Sequence, residues 1–251
     1  FHGSNGHLSH GFVSKAKKAS PRWLLCEGTR IDSDIQDSEK AVHQQINDYI
    51  KKTQGLVFVE HPIRDIDRVN SIYQAARENG REFAVPMKLA HLIETLGVHC
   101  PFSLDDVKIL IHRKKWGLIT KKDTESRLIS QDYTKWEKEF LEKDNWISLD
   151  NLNKQPEKYV VSMNMWEINQ LSDVEVEGSI WIKSSCEPFC EEMELDEERK
   201  KNWLEHFEIP EYSAHASGHA SGEEIRKMIR EISPEEVMPI HTEKPYLFPS
   251  K

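Results

Sequence analysis

Short apolar runs that alternate with amphipathic stretches constrain this chain more than any other feature. Residues 23–26 (WLLC), 56–59 (LVFV), 83–86, 108–111 (KILI), 159–163 (YVVSM), 179–183 (SIWIK) and 237–240 (VMPI) read as buried strands. Helical patterns separate them. Residues 38–53 place Ala41, Ile46, Tyr49 and Ile50 close to a helical period, with Asp37 or Ser38 available as N-cap. Residues 65–79 start on an Asp65 N-cap and stop before Gly80, where a left-handed C-cap belongs. Further helices are expected over 87–96, closed by Gly97, over 194–207, and over 223–232 ahead of the Ser233-Pro234 breaker. Strand and helix alternating at this spacing require parallel strands joined by right-handed crossovers, so the expected fold class is α/β on a mainly parallel sheet. Residues 112–155 interrupt the pattern with charged, tryptophan-containing sequence and one expected helix near 133–141.

Composition narrows the functional classes. At 251 residues, with 37% hydrophobic and 31% charged residues, the chain can bury a sizeable core, as one large domain or two smaller ones. No apolar run approaches the roughly 20 residues of a membrane helix, and the N-terminus lacks a signal-peptide pattern. A soluble cytoplasmic protein without a membrane partner is the expectation. Four cysteines give no disulfide framework; Cys186 and Cys190 could form half of a metal site, but with no second pair they read as plain thiols. A net charge of −9 argues against a broad nucleic-acid-binding face while allowing a local basic groove.

The stretch HASGHASGEEI, residues 215–225, repeats His-Ala-Ser-Gly twice and runs straight into a helix. Small polar residues are linker material. A linker, however, does not normally feed a helix whose partner strand ends in another histidine, here His241 in PIHTEKP. Glycines 218 and 222 would let backbone approach a ligand, and amides at the helix start suit an anion such as phosphate. In open α/β sheets ligand sites gather at the carboxyl ends of strands, which favours a site over a linker. Glu27 in LLCEGTRI stands at another such end, and imidazoles with carboxylates are ingredients of a metal-hydrolase site. His61 and Arg64 could meet phosphate, although capping and surface roles are the simpler reading. His2, His7 and His10 have metal-like density but no placed secondary structure.

Taken together, SAHASGHASGEEIRKMIREISPEEVMPIHTEKP resembles the end of the catalytic module of metallo-β-lactamase-fold nucleases of the β-CASP group, especially ribonuclease J and its archaeal relatives. Those proteins carry a His-x-Ser-Gly-His-Ala stretch, a helix, a Pro-containing turn and a strand ending in Pro-x-His-x-Glu. Here the matching positions are His215, Ser217, Gly218, His219, Ala220, Pro234, Pro239, His241 and Glu243. LLCEGTRI is similar to the acidic motif that opens the β-CASP region, and the opening FHG to residues that follow a metal-bridging Asp. The resemblance implies that residues 1–32 and 208–251 belong to the metallo-β-lactamase fold, that residues 33–207 form the inserted β-CASP domain, and that residues 1–11 are native strand and turn.

The same resemblance implies a zinc-dependent ribonuclease that hydrolyses RNA phosphodiesters with two zinc ions, as a 5′-to-3′ exonuclease or an endonuclease. His241 would ligate zinc, with Glu27 as one candidate for its outer partner. His219 would act as general acid or oriented donor, and His215 with Ser217 would hold the scissile phosphate. The family's main metal motif, His-x-His-x-Asp-His, is absent from these residues. The implied partners are therefore RNA and a missing N-terminal metallo-β-lactamase portion, and a homodimer is a further candidate assembly. Two alternatives stay open: a DNA-processing nuclease of the same group, against which His241 speaks because that branch resembles a Val there, and a non-catalytic scaffold of an RNA-processing complex.

Overall fold

The computed structural model describes residue 6 and residues 8–35, 38–114 and 132–249. His2, His7, Asp37 and residues 115–131 lie outside them. The chain divides into two compact units, Val42–His215 on the one hand and Phe1–Ala41 with Ala216–Lys251 on the other. One helix, α2 (Glu39–Lys52), runs across the first border.

The larger unit is a seven-stranded sheet. Its strands are β2 (Val57–Glu60), β3 (Glu82–Pro86), β4 (Lys108–Ile111), β5 (Trp146–Ser148), β6 (Tyr159–Ser162), β7 (Ile180–Lys183) and β8 (Glu211–Ser213). They stand in the order β5-β4-β3-β6-β2-β7-β8, and every pairing is parallel. The mainly parallel α/β architecture expected from the alternation is therefore present. Val57, Phe58 and Val59 in the interior strand β2 are fully buried, because a parallel strand with helices on both faces has no solvent side. On one face Phe58, Ala84, Leu110, Ile147, Val161 and Trp181 join one apolar core.

Helices α3 (Ile66–Glu78), α4 (Met87–Leu96), α5 (Lys135–Leu141), α6 (Leu149–Lys154) and α7 (Glu191–His206) belong to this unit. Local chemistry sets their ends. The Asp65 carboxylate accepts the amide of Arg68 at 3.1 Å, and Gly80 and Gly97 take the positive φ that stops α3 and α4. Sequence periodicity did not find β5, α6 or β8, which have only 3 residues, 6 residues and 3 residues.

In the smaller unit α1 (Leu8–Ala19), β1 (Trp23–Glu27), α8 (Gly222–Ile232) and β9 (Glu236–Ile240) surround a small core of Cys26, Ile31, Ile225, Ile229 and Phe248. β1 and β9 pair in parallel with Glu27 opposite Ile240. Two expectations change here. Residues 8–11, expected as strand and turn, open the helix α1, whose last turn carries Lys17 and Lys18 where the helix dipole favours cations. Residues 23–26, expected as a buried strand, alternate: Cys26 faces the core, while Trp23 and Leu25 point to solvent beside Met238 and Ile240.

Candidate functional site

The carboxyl ends of β1 and β9 hold three residues of interest. The ladder continues past Glu27, as Gly28 donates its amide to the Ile240 carbonyl at 3.0 Å. A side chain at Gly28 would put its Cβ 2.5 Å from the Phe248 ring, so this turn requires glycine. The Thr29 amide donates to the Glu27 carboxylate at 3.0 Å. The next residue on β9 is His241, held in the left-handed region at φ 49°. Such a conformation is costly for a residue with a Cβ, and it aims a side chain where a continuing strand would not.

His219 stands on the loop leading into α8, about half exposed, with Nδ1 3.3 Å from Glu27 Oε2. Glu27 was expected as a candidate partner of His241; the structure places its carboxylate on His219. A carboxylate oxygen accepts, so in this contact Nδ1 is the ring nitrogen that carries a proton toward Glu27. The His219 amide donates to Ser217 Oγ at 3.2 Å, which folds the serine hydroxyl back onto its own loop.

The two glycines of the tandem differ. Nothing lies within 4 Å of a Cβ placed on Gly218, whereas one on Gly222 would meet the Ile31 carbonyl oxygen at 2.2 Å. The close approach expected of them toward a ligand is, at Gly222, an approach to the chain itself. The start of α8 is likewise occupied. Ser221 and Glu224 form a reciprocal capping box, and the Gly222 amide donates to Ser33 O at 2.8 Å. The helix-start amides expected to suit phosphate are committed to these bonds.

His215 belongs to the larger unit, two residues beyond β8 at the carboxyl edge of its sheet. Its Nδ1 lies 3.1 Å from Arg68 Nη1. The same nitrogen of Arg68 donates to the Ser184 carbonyl at 2.8 Å and hydroxyl at 2.9 Å, just past β7. Sequence reasoning missed Arg68. The available signal was its spacing: it precedes Ile72 by four and Ala75 by seven, inside the buried stripe of α3.

His61, at the end of β2, is buried and bonded through Nε2 to Ser162 Oγ at 2.9 Å, so it is neither a cap nor a surface residue. Burial, aided by the charge of Arg68 and opposed by the Pro62 carbonyl, pushes its pKa down to about 4. The His61 and Arg64 pair therefore presents no cationic imidazole to a phosphate.

A buried ion network flanks the same sheet edge. Lys200 is 1% exposed and reaches Glu60 at 3.0 Å, Glu197 at 3.1 Å and Glu211 at 2.6 Å. Burial alone would lower its pKa; Glu60 and Glu211 outweigh that and hold it near 12.

Zinc, implied by the motif resemblance, can be tested against the donors present. No group of three or more His, Cys, Asp or Glu side chains capable of holding a metal exists among the described residues. Cys186 and Cys190 are exposed free thiols, and His10 lies exposed on α1. His241 offers one donor, so the described residues do not form a metal site of their own. No helix among them is long and apolar enough to cross a membrane.

Comparison with known proteins adds one finding. Residues 211–247 match the family model RMMBL, described as a Zn-dependent metallo-hydrolase RNA specificity domain. The matched segment runs from β8 through α8 and β9 and includes His215, Ser217, His219 and His241, but not Glu27. A search of curated proteins returned no match. The match covers this C-terminal segment alone, and the domain it describes is one of zinc-dependent metallo-hydrolases with RNA specificity.

Proposed function

We propose that this protein is a zinc-dependent ribonuclease of the β-CASP group, acting on RNA phosphodiesters in the cytoplasm. The observation that carries the reading is the RNA-specificity match over residues 211–247, within which His215, His219 and His241 all follow the carboxyl ends of parallel strands. In this reading residues 1–32 and 208–251 belong to the metallo-β-lactamase fold and residues 33–207 to the inserted β-CASP domain.

The chain's own residues take distinct parts. His219, its Nδ1 facing the Glu27 carboxylate, would deliver a proton from Nε2 to the leaving oxygen as general acid. His215 and Ser217 would hold the phosphate. His241 would supply one ligand to zinc, since the described residues hold no complete donor set. The remaining donors would come from a metallo-β-lactamase portion outside these residues. The solvent-facing apolar row of Trp23, Leu25, Met238 and Ile240 supports that view, since a parallel sheet is normally covered on both faces.

The test is cleavage of matched single-stranded RNA and DNA by the full-length protein. Preferential RNA cleavage is expected. DNA cleavage faster by about tenfold, a difference of about 1.4 kcal/mol in the barrier, would replace this reading with the DNA-processing one. Failure to cleave either would favour the scaffold.

A further inference from the structure

We propose that Arg68 is a positioning residue that fixes His215 in the Nε2–H tautomer, so that the ring offers a proton donor to a phosphate oxygen. The inference rests on the ribonuclease reading for the identity of the anion and on geometry for the tautomer. A guanidinium has five N–H donors and no lone pair to give. At 3.1 Å from Arg68 Nη1, His215 Nδ1 must be the acceptor, which leaves the ring proton on Nε2. An imidazolium has no lone pair at either nitrogen, so the same contact selects the neutral ring.

Arg68 can hold this position because it is itself held. It is 1% exposed, and Ser184 accepts from it through both carbonyl and hydroxyl. The Ser184 hydroxyl passes its own proton to the Ala214 carbonyl at 2.6 Å, which ties the end of β7 to the residue just before His215. His219 has the opposite environment, with Nδ1 facing the Glu27 carboxylate at 3.3 Å. Two repeats identical in sequence therefore meet different partners: His215 Nδ1 a guanidinium donor, His219 Nδ1 a carboxylate acceptor. The first suits holding an anion and the second suits proton transfer.

Long-range proton–nitrogen spectra of the ¹⁵N-labelled protein test this, with His215→Gln and His219→Gln for assignment. The parent should show an imine-type Nδ1 and a pyrrole-type Nε2 on His215, and a protonated Nδ1 on His219. A pyrrole-type Nδ1 on His215, or the same pattern on both rings, would overturn the proposal. Arg68→Met should release His215 into a tautomer mixture while Arg68→Lys, which keeps a donor, should preserve the parent pattern; unchanged His61 signals report an intact sheet edge. A short single-stranded RNA should shift the His215 Nε2 resonance and bind Arg68→Met at least about tenfold more weakly, a loss of about 1.4 kcal/mol. Inorganic phosphate alone should produce the same shift only at far higher concentration. RNA binding that leaves His215 unmoved would remove the phosphate role from the ribonuclease reading, a failure distinct from a wrong tautomer.

Discussion

Val57, Phe58 and Val59 of β2 are completely buried, whereas Leu25 of β1, an equally apolar position in another parallel strand, is 60% exposed. Both sheets are parallel, and parallel sheets are stable when both faces are covered. The seven-stranded sheet meets that condition with its own helices, and it surrounds a large apolar core. The two-stranded sheet meets it on one face only, through Cys26, Leu24 and Val237 against α8. The larger unit thus carries its stability within itself. The smaller one carries chemistry-bearing residues on a sheet that its own side chains cover halfway.

Substitutions can break this comparison in a graded way. The largest effect is expected at Trp181, fully buried in β7, whose indole donates to Glu60 at 3.1 Å. Trp181→Ala should cost about 3–5 kcal/mol in denaturant unfolding of the larger unit. Leu25→Ala, by contrast, should change stability by no more than about 0.5 kcal/mol. A cost at Leu25 approaching that at Trp181 would mean that the face is already covered.

Acid should act on the larger unit. The buried His61 ring and the largely covered His112 ring hold their pKa values near 4, in both cases chiefly through loss of water around the ring. An unfolded chain takes up those protons near pH 6.5, while the folded chain resists until about pH 4. Stability contributed by the neutral rings is therefore complete above 6.5 and lost as pH falls through that window, by up to about 3 kcal/mol per ring. Unfolding measured from pH 7 to pH 4 should show the slope, and His61→Gln should flatten it. A slope unchanged in that variant would contradict a buried neutral His61.

Within the tandem the comparison sharpens further. Gly222→Ala drives a Cβ against the Ile31 carbonyl and should cost about 1–3 kcal/mol, while Gly218→Ala opens onto empty space and should be nearly neutral. Equal thermal shifts in the two variants would show that the loop relaxes where the structure holds it fixed.

The readable part of this molecule was what repeats at short range. Asp65 and Gly80 bracket α3 in the sequence as they do in space, and the apolar runs at 57–60 and 180–183 are strands because their length and burial leave no other use for them. Features made by distant pairs were not readable. The bond from Arg68 to His215 joins residues 147 positions apart, and no local pattern reports it. Helix α1 escaped because only Val13 of its 12 residues is buried, too little to print a helical stripe. The candidate residues His215, Ser217, His219, His241 and Glu27 stand out in the sequence because histidines cluster there on small-residue loops at strand ends. The contacts of the two tandem rings do not, since the fold sets which side chain meets each Nδ1.

The most direct test of the account compares RNA cleavage and zinc content in the full-length protein and its His219→Ala variant. A cleavage rate lower by about 10²–10⁴-fold with zinc retained is expected if His219 transfers the proton. A rate within about twofold of the parent, far below the range for a lost general acid, would contradict the assignment of chemistry to His219 and with it the functional reading of the tandem.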